Sequence, residues 1–379
     1  MKKIILLFVF VMIIISGCKK LSVPVVPEAV QPTVTNTITE LLSQTETQIA
    51  TVTQSSVETS TFTQTETQTE TITQTVTQTM TQTATSTATI DSSILVSVPG
   101  GTFTQTDANN IANTFSHTIS TFSIGKYQVT YHLWYTVRQW AILNGYSFAN
   151  AGMEGSNGTI GYAPTAAKQQ PVTMINWRDA IIWCNAYSQM LVLTPVYCSD
   201  AGFTTPIKTS TNSGSINATA GSVDKPYVNW AGNGYRLPTE GEYQYAASYK
   251  DGTSWTPYNY ASGATAEYTN ATATGLVAWY LDNSWTGLHY ITHDVGGKNA
   301  NALGLYDMSG NVLEWCWDWY AAYPGTSTNY RGPLSATYRV LHGGYYNYSA
   351  SGTQVGFRNV FDSPFNTFVG TGFRFVRAN

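Results

Sequence analysis

The sequence predicts an α+β fold with few helices and much irregular structure. Charged residues make up only 11% of the chain, whereas aromatic residues make up 13%, including 25 Tyr and 11 Trp. Glu, Lys and Arg are good helix formers, while aromatic side chains fit strands. Gly and Pro recur between short apolar runs, as expected of turns. The composition therefore favours short strands joined by long loops.

The first element is predicted to be an export signal. Two Lys precede the apolar segment 4–15, and a Ser-Gly-Cys sequence that ends at Cys18 follows it. The segment is too short to span a bilayer comfortably but suits a secretory signal. Its end is similar to a bacterial lipobox, so residues 1–18 are predicted to be a lipoprotein signal peptide that is lipidated at Cys18. The alternative is an uncleaved anchor; in both cases the rest of the chain is exported and membrane-tethered.

The second element, residues 19–93, is predicted to be a disordered linker. It is rich in Thr and Gln and almost lacks bulky apolar side chains. Such a composition cannot bury enough apolar surface to offset the entropy of ordering. Thr also alternates at period two, which is compatible with β aggregation. The simpler interpretation is a stalk that holds the following domain away from the membrane.

The charge distribution excludes one class of partner. The formal net charge is −4, and no basic stripe exists that could neutralise phosphates, so nucleic acid is not an expected partner. The part after the linker is nearly neutral. Long-range electrostatic steering of a highly charged partner is therefore not expected.

One domain, residues 94–379, is predicted to follow, and three helices stand out in it. The first begins after Thr130 and the second after Asn176, both at N-cap residues. The third begins at Thr239, and Glu242 three residues later completes a capping box. Strands bounded by Gly and Pro are predicted in the runs LVSVPGGTFTQT, RVLHGGYY and GFRFVR.

Seven segments of this domain, in this order, resemble the formylglycine-generating enzyme family, also called the sulfatase-modifying factor domain. They are VPGGTFTQT at 98–106, FSIGKYQVTYHLW at 122–134, QPVTMINWRDAIIWCN at 170–185, GYRLPTEGEYQYAA at 234–247, NALGLYDMSGNVLEWCWDWY at 301–320, RVLHGG at 339–344 and GFRFVR at 372–377. The resemblance implies a C-type-lectin-like fold. Fold and activity are separate questions, because one fold hosts many chemistries.

The segment GLYDMSGNVLEW predicts a structural Ca²⁺ site. It places Asp307, the carbonyls of Gly310 and Val312, and Glu314 within eight residues. Carboxylates and backbone carbonyls are the hard oxygen donors that Ca²⁺ prefers, and the resemblance implies Ca²⁺ at these four positions. The alternative is a turn capped by the aspartate, with the glutamate bonded to a strand amide.

The resemblance also implies where a catalytic centre would lie. Enzymes of the family place two cysteines after the RVxxGG motif, where they bind copper(I) and oxidise a substrate cysteine. The matching positions are Tyr348 and Thr353, and no cysteine follows Cys316. Because a thiolate is the competent ligand, neither copper nor any catalytic residue is predicted. The alternative is an oxidoreductase or protein-modifying enzyme that uses a different site.

Two side-chain pairings are left open by the sequence. Cys184 and Cys198 either form a disulfide or are buried reduced thiols. Arg236 is expected to pair with either Glu240 or Glu242, as a structural ion pair rather than a ligand contact.

The segment after the RVLHGG motif is predicted to be a recognition surface. Tyr offers contact area at low entropic cost, and Ser, Asn and Gly add adaptable hydrogen bonds. The block also resembles the variable regions of diversity-generating retroelement target proteins; the alternative is ordinary loop sequence in a Tyr-rich protein. The predicted ligand-binding residues are Tyr345, Tyr346, Asn347, Tyr348, Ser349, Ser351, Thr353 and Asn359.

The predicted function is therefore that of an exported, membrane-anchored lipoprotein of the cell envelope. Its domain is expected to bind an unknown protein or small-molecule ligand without oxidase activity. A purely structural envelope protein is the third hypothesis.

Overall fold

The computed structural model describes residues 34–43, 49–53, 61–65, 71–80 and 94–379. The predicted signal peptide and its Cys18 lie outside these residues. The chain divides into two compact units, one formed by residues 28–87 and the other containing residues 88–379.

Four strands lie in the first unit. They are β1 (Val34–Ser43), β2 (Ile49–Thr53), β3 (Thr61–Thr65) and β4 (Thr71–Met80). β1 pairs antiparallel with β4, and β2 with β3. The period-two alternation of β-branched residues in these stretches fits an extended, pleated backbone.

The second unit contains fourteen short strands among its described residues. They are β5 (Leu95–Val98), β6 (Gly101–Asp107), β7 (Asn110–Ile119), β8 (Phe122–Gly125), β9 (Met153–Glu154), β10 (Val172–Thr173), β11 (Tyr197–Cys198), β12 (Tyr227–Val228), β13 (Leu313–Trp319), β14 (Ser327–Thr328), β15 (Arg339–His342), β16 (Asn359–Asp362), β17 (Thr371–Gly372) and β18 (Val376–Ala378). The central sheet has the order β16-β15-β13-β17, and two three-stranded sheets have the orders β14-β7-β6 and β18-β8-β5. Two-stranded pairs, β9 with β10 and β11 with β12, complete the mixed architecture.

Four helices accompany these strands, and the three predicted ones are confirmed. They are α1 (Tyr131–Leu143), α2 (Trp177–Met190), α3 (Glu240–Ser248) and α4 (Ala271–Val277). The side chains of Thr130, Asn176 and Thr239 accept hydrogen bonds at the starts of α1, α2 and α3. These caps satisfy amide groups that a helix start otherwise leaves unpaired. The predicted capping box between Thr239 and Glu242 is present.

The main core is aromatic and joins the helices to the central sheet. Trp134 of α1 stacks on Trp183 of α2 with ring centres 6.2 Å apart, and Phe373 packs edge-on against both. All three side chains are fully buried. Aromatic pairs in such geometries stabilise a core beyond their area burial. Among the described residues, no helix is long and apolar enough to cross a membrane.

Candidate functional site

Two glycines direct the chain from the central sheet to the predicted recognition surface. Gly343 and Gly344 follow β15 with φ of 93° and 71°, which side chains rarely adopt. A Cβ on Gly344 would also lie 2.6 Å from the carbonyl oxygen of Gly352. The RVLHGG motif therefore brings the segment from Tyr345 onward tightly against the turn at 350–353.

Of the two positions that match the family's cysteine pair by the resemblance, Thr353 lies in this turn and Tyr348 lies two residues before it. Tyr348 is partly buried, and its ring lies between those of Tyr345 and Phe357, with centres 5.6 Å and 5.5 Å away. Thr353 is fully buried, and its hydroxyl donates to the carbonyl of Ala350 at 2.7 Å. Both side chains fill structural positions, and neither can become a thiolate.

The three cysteines of the described residues are all reduced. Cys184, Cys198 and Cys316 are free and buried, so the reduced alternative holds and no disulfide joins the first two. Burial raises the pKa of all three thiols. A neutral, buried thiol is a poor ligand for copper and a poor nucleophile.

The predicted ligand-binding residues divide by exposure. Asn347 and Ser349 are exposed, whereas Tyr345, Tyr348, Ser351 and Asn359 are partly buried. Tyr346 and Thr353 are buried, with 6% and 0% of their surface exposed. These last two do not contact a ligand in this arrangement, because Tyr346 packs inward and Thr353 closes the turn.

Half-exposed aromatic rings form the centre of the surface. We define the aromatic face as Tyr345, Tyr348, Phe357 and Phe368. The ring of Tyr345 meets that of Phe368 edge-on at 5.2 Å, and Phe368 is 38% exposed. Phe357 and Phe368 were not predicted, since only the folded chain brings them next to the tyrosines.

A second loop lies beside the aromatic face. We define the Trp285 loop as residues 281–291. Its first residue donates a backbone hydrogen bond to the carbonyl of Tyr348 at 3.0 Å, and Ser284 donates to the carbonyl of Tyr346. Trp285 and Leu288 are 52% and 76% exposed. Single exposed apolar side chains are common, and it is their grouping into a patch that is typical of interaction surfaces; no local sequence signal identified this loop.

A buried ion pair holds the segment that follows the turn. Arg358 makes a bidentate contact with Glu240 at the start of α3. Glu240 also accepts a hydrogen bond from Tyr323 at 2.9 Å and lies 3.3 Å from His342. Burial alone would raise the pKa of Glu240, but Arg358 and His342 lower it to about 2. The segment that follows the aromatic face is thus held by a buried ion pair whose charges balance.

The second Arg–Glu pair resolves an alternative that the sequence left open. Arg236 pairs with Glu242, with both guanidinium nitrogens 2.6 Å from its carboxylate oxygens. Glu240 is taken by Arg358 instead. The arrangement supports the structural role that was predicted for Arg236.

Oxygen atoms of the four predicted calcium ligands do converge, but the atom at their centre is a nitrogen of the protein. Nε2 of Gln128 lies 3.1 Å, 3.2 Å and 3.0 Å from the carbonyl oxygens of Asp307, Gly310 and Val312, and 3.0 Å from Oε1 of Glu314. The Asp307 carboxylate is not one of the atoms around Nε2: its Oδ2 accepts from the amide of Gly296 at 2.7 Å, and its Oδ1 is buried without a hydrogen-bond partner among the described residues.

The oxygen-only donor set has the chemistry of a calcium site. However, Glu314 is already paired with Arg374 through both carboxylate oxygens, at 2.6 Å and 2.7 Å. With Gln128 at the centre, these residues do not fit a bound Ca²⁺ in this arrangement.

The fold and the site together define a lectin-like α+β domain that carries loops and half-exposed aromatic rings beside its central sheet. The chain belongs to the family of the sulfatase-modifying factor enzyme 1-like domain, whose model matches residues 78–379.

Individual relatives differ in what they are named for. The chaperone protein LppX of Paenibacillus barcinonensis is 32% identical over 72% of this chain and 85% of its own length. The formylglycine-generating enzyme of Thermomonospora curvata is 34% identical over a stretch that covers 31% of this chain and 40% of that enzyme. The solved structure of Treponema denticola variable protein 1 is 29% identical, covers 75% of this chain and 95% of its own, and has a TM-score of 0.57.

Proposed function

We propose that this chain is an exported lipoprotein whose domain binds a polypeptide partner through the aromatic face and the Trp285 loop. The observation that carries the proposal is the packing of Tyr348. Where the family's enzymes have a copper ligand, this chain has a ring that is partly exposed and supported by Tyr345 and Phe357. We therefore infer that position 348 serves surface contact instead of metal binding.

The chemistry of the surface suits a protein partner. Tyr and Phe provide rigid contact area that loses little rotamer entropy on binding, while Asn347 and Ser349 add exposed hydrogen-bonding groups. Aromatic residues are enriched where binding energy concentrates in protein interfaces. The buried ion pair between Arg358 and Glu240 holds the neighbouring segment in place. Such preorganisation lowers the entropic cost of binding.

The relatives support the same direction. One is named as a chaperone, a function that consists of binding other polypeptides. Another is named as a variable protein, which supports the proposal that the exposed positions around Asn347 vary between copies of the gene. Sequencing of the locus tests this proposal: a reverse transcriptase gene and a near-repeat of the 3′ end are expected, and absence of both contradicts it.

Anchoring by lipid at Cys18 is part of the proposal and rests on the lipobox-like sequence. Radiolabelled fatty acid should enter the full chain, and Cys18→Ser should abolish the labelling. Labelling that persists in the variant would contradict lipidation at this residue.

Binding is tested with the full chain and an unfolded polypeptide, reduced and carboxymethylated lactalbumin, together with a panel of purified envelope proteins. The double variant Asn347→Ala/Tyr348→Ala should lose at least tenfold in affinity for the probes that bind, which corresponds to about 1.4 kcal/mol. Tyr227→Ala removes an exposed Tyr from β12 and should bind like wild type. Equal affinity of the double variant and wild type would overturn the proposal.

Oxidase activity is tested in parallel by copper(I) titration and by oxygen consumption with a cysteine-containing peptide. Wild type should neither bind copper(I) tightly nor consume oxygen. The variant Tyr348→Cys/Thr353→Cys restores both family thiols and serves as the positive control for copper binding. Copper-dependent turnover by wild type would show that the chain is an enzyme after all.

A further inference from the structure

The oxygen cage around Gln128 is built by the backbone of one loop. Asp307, Gly310 and Asn311 have φ of 55°, 83° and 62°, and these left-handed residues turn successive carbonyls toward a common point. The carbonyls of Asp307, Gly310 and Val312 meet there with Glu314 around Nε2 of Gln128. Four acceptors that converge without a donor would repel one another and remain unsatisfied in the interior.

The distances identify what the cage is adapted to. Oxygens lie 3.0–3.2 Å from the central nitrogen, which is the range of N–H···O hydrogen bonds. Calcium ligands lie at about 2.3–2.6 Å. The cage as folded is therefore the size of an amide group and too wide for the ion.

The orientation of the Gln128 carboxamide is dictated by the same oxygens. If the amide were reversed, its Oε1 would face four acceptors and gain no bond. In the orientation observed, Oε1 is buried without a hydrogen-bond partner among the described residues. The contacts of Nε2 with the cage oxygens thus outweigh the hydrogen bond that Oε1 lacks.

The charge of Glu314 is balanced without an added cation. Both oxygens of Glu314 are taken by Arg374, and both residues are fully buried. The hydroxyl of Tyr243 lies 3.3 Å from Oε1 of Glu314 and donates to the carbonyl of Met308 at 3.0 Å. A divalent ion would bring two further positive charges to a carboxylate that is already neutralised.

We propose that the amide nitrogen of Gln128 replaces the metal ion in this chain, so that the loop 307–314 is stable without Ca²⁺. The residue at position 128 then decides whether the cage needs a cation. A glutamate there would direct a carboxylate at four oxygens, a repulsion that a bound cation would relieve.

The test compares thermal unfolding of the full chain in excess EDTA and in millimolar CaCl₂. Wild type should unfold at the same temperature in both, and calorimetric titration should show no Ca²⁺ binding. Gln128→Glu should unfold at a lower temperature in EDTA and recover when Ca²⁺ is added. Gln189→Glu places the same charge at an exposed position of α2 and should show no calcium response.

Several outcomes would overturn the proposal. Wild type that binds Ca²⁺ or loses stability in EDTA would show that the cage takes a metal, as the sequence predicted. A Gln128→Glu variant that is stable in EDTA and indifferent to Ca²⁺ would show that position 128 does not control the cage. Should that variant not fold, the wild-type titration and melting curves decide alone.

Discussion

At the scale of single residues, the aromatic ring at position 348 is accommodated by its neighbours. The Tyr348 ring lies directly over Gly352, where a Cβ would come within 2.0 Å of its Cδ1 atom. Gly352 does not need its conformational freedom, since its φ is not in the left-handed region. It is therefore required for space, and the small residue and the large ring depend on each other.

The substitution Gly352→Ala tests this dependence. The added methyl group should displace the Tyr348 ring and lower the free energy of unfolding by about 1–3 kcal/mol, as is typical of overpacking. Chemical denaturation measures the loss. Gly325→Ala is the matched control, because a Cβ there meets no atom within 4 Å and φ is not positive. In the background Tyr348→Ala the effect of Gly352→Ala should largely vanish; an undiminished effect would contradict the mutual dependence.

At the scale of elements, the start of α3 connects the fold to the recognition surface. Thr239 caps the helix, Glu242 closes the capping box and pairs with Arg236, and Glu240 holds Arg358. The helix cap, the ion pair with Arg236 and the ion pair with Arg358 thus all depend on one helix start. Arg236 lies only six residues before Glu242, whereas Arg358 lies 118 residues after Glu240 and reaches it only in the folded chain.

The cap itself can be tested with Thr239→Ala and Thr239→Ser. The Thr239 hydroxyl accepts from the amide of Glu242 at 3.1 Å. Its removal should lower the free energy of unfolding by about 1 kcal/mol, as for other N-caps, whereas serine retains the oxygen and should cost only a fraction of that. Equal losses in both variants, measured by denaturant unfolding, would show that the methyl group rather than the cap matters.

At the scale of the whole molecule, a chain with few charges has placed many of them inside. Arg178 with Asp224, Arg374 with Glu314 and Arg358 with Glu240 are all nearly fully buried. Breaking one partner of such a pair leaves an uncompensated buried charge, which is costly. The interior is therefore stable only while these carboxylates stay ionised, and the fold should be sensitive to acid.

His117 gives a defined pH window for this sensitivity. It is fully buried and lies 2.7 Å from Oε1 of Gln105, and its Nε2 accepts from the amide of Tyr330 at 2.9 Å. Burial lowers its pKa from 6.5 to about 4, although Glu240 and Glu242 act in the opposite direction. Between pH 6.5 and about 4 the unfolded chain therefore binds a proton at this histidine that the folded chain does not bind. The free energy of unfolding should fall as the pH drops through this range.

The comparison with His117→Asn isolates this contribution. The asparagine amide can still donate to Gln105 but does not titrate, so the variant should be less stable at neutral pH and less pH-dependent between 6.5 and 4. Urea unfolding at several pH values measures both. Asp307, whose pKa burial raises to about 6, acts with the opposite sign in both proteins and cancels in the difference. Parallel pH profiles would contradict the role given to His117.

Much of the fold was predictable because its signals are local. Helix caps at Thr130, Asn176 and Thr239 occur within a few residues of the amides they satisfy. The sequence could not show that Tyr346 is buried and that Phe368 is exposed. Exposure depends on what the rest of the chain places over each side chain.

The sequence by itself determined the family, the framework of capped helices, and the presence of Tyr and Thr at positions 348 and 353, since each is a property of residue type and order. Only the tertiary structure decided which glutamate each arginine takes, and that Gln128 reaches into a cage built about 180 residues later. The physical reason is that buried charges and amides are satisfied by whichever groups the fold brings within hydrogen-bonding distance, and that distance in space is not written in distance along the chain.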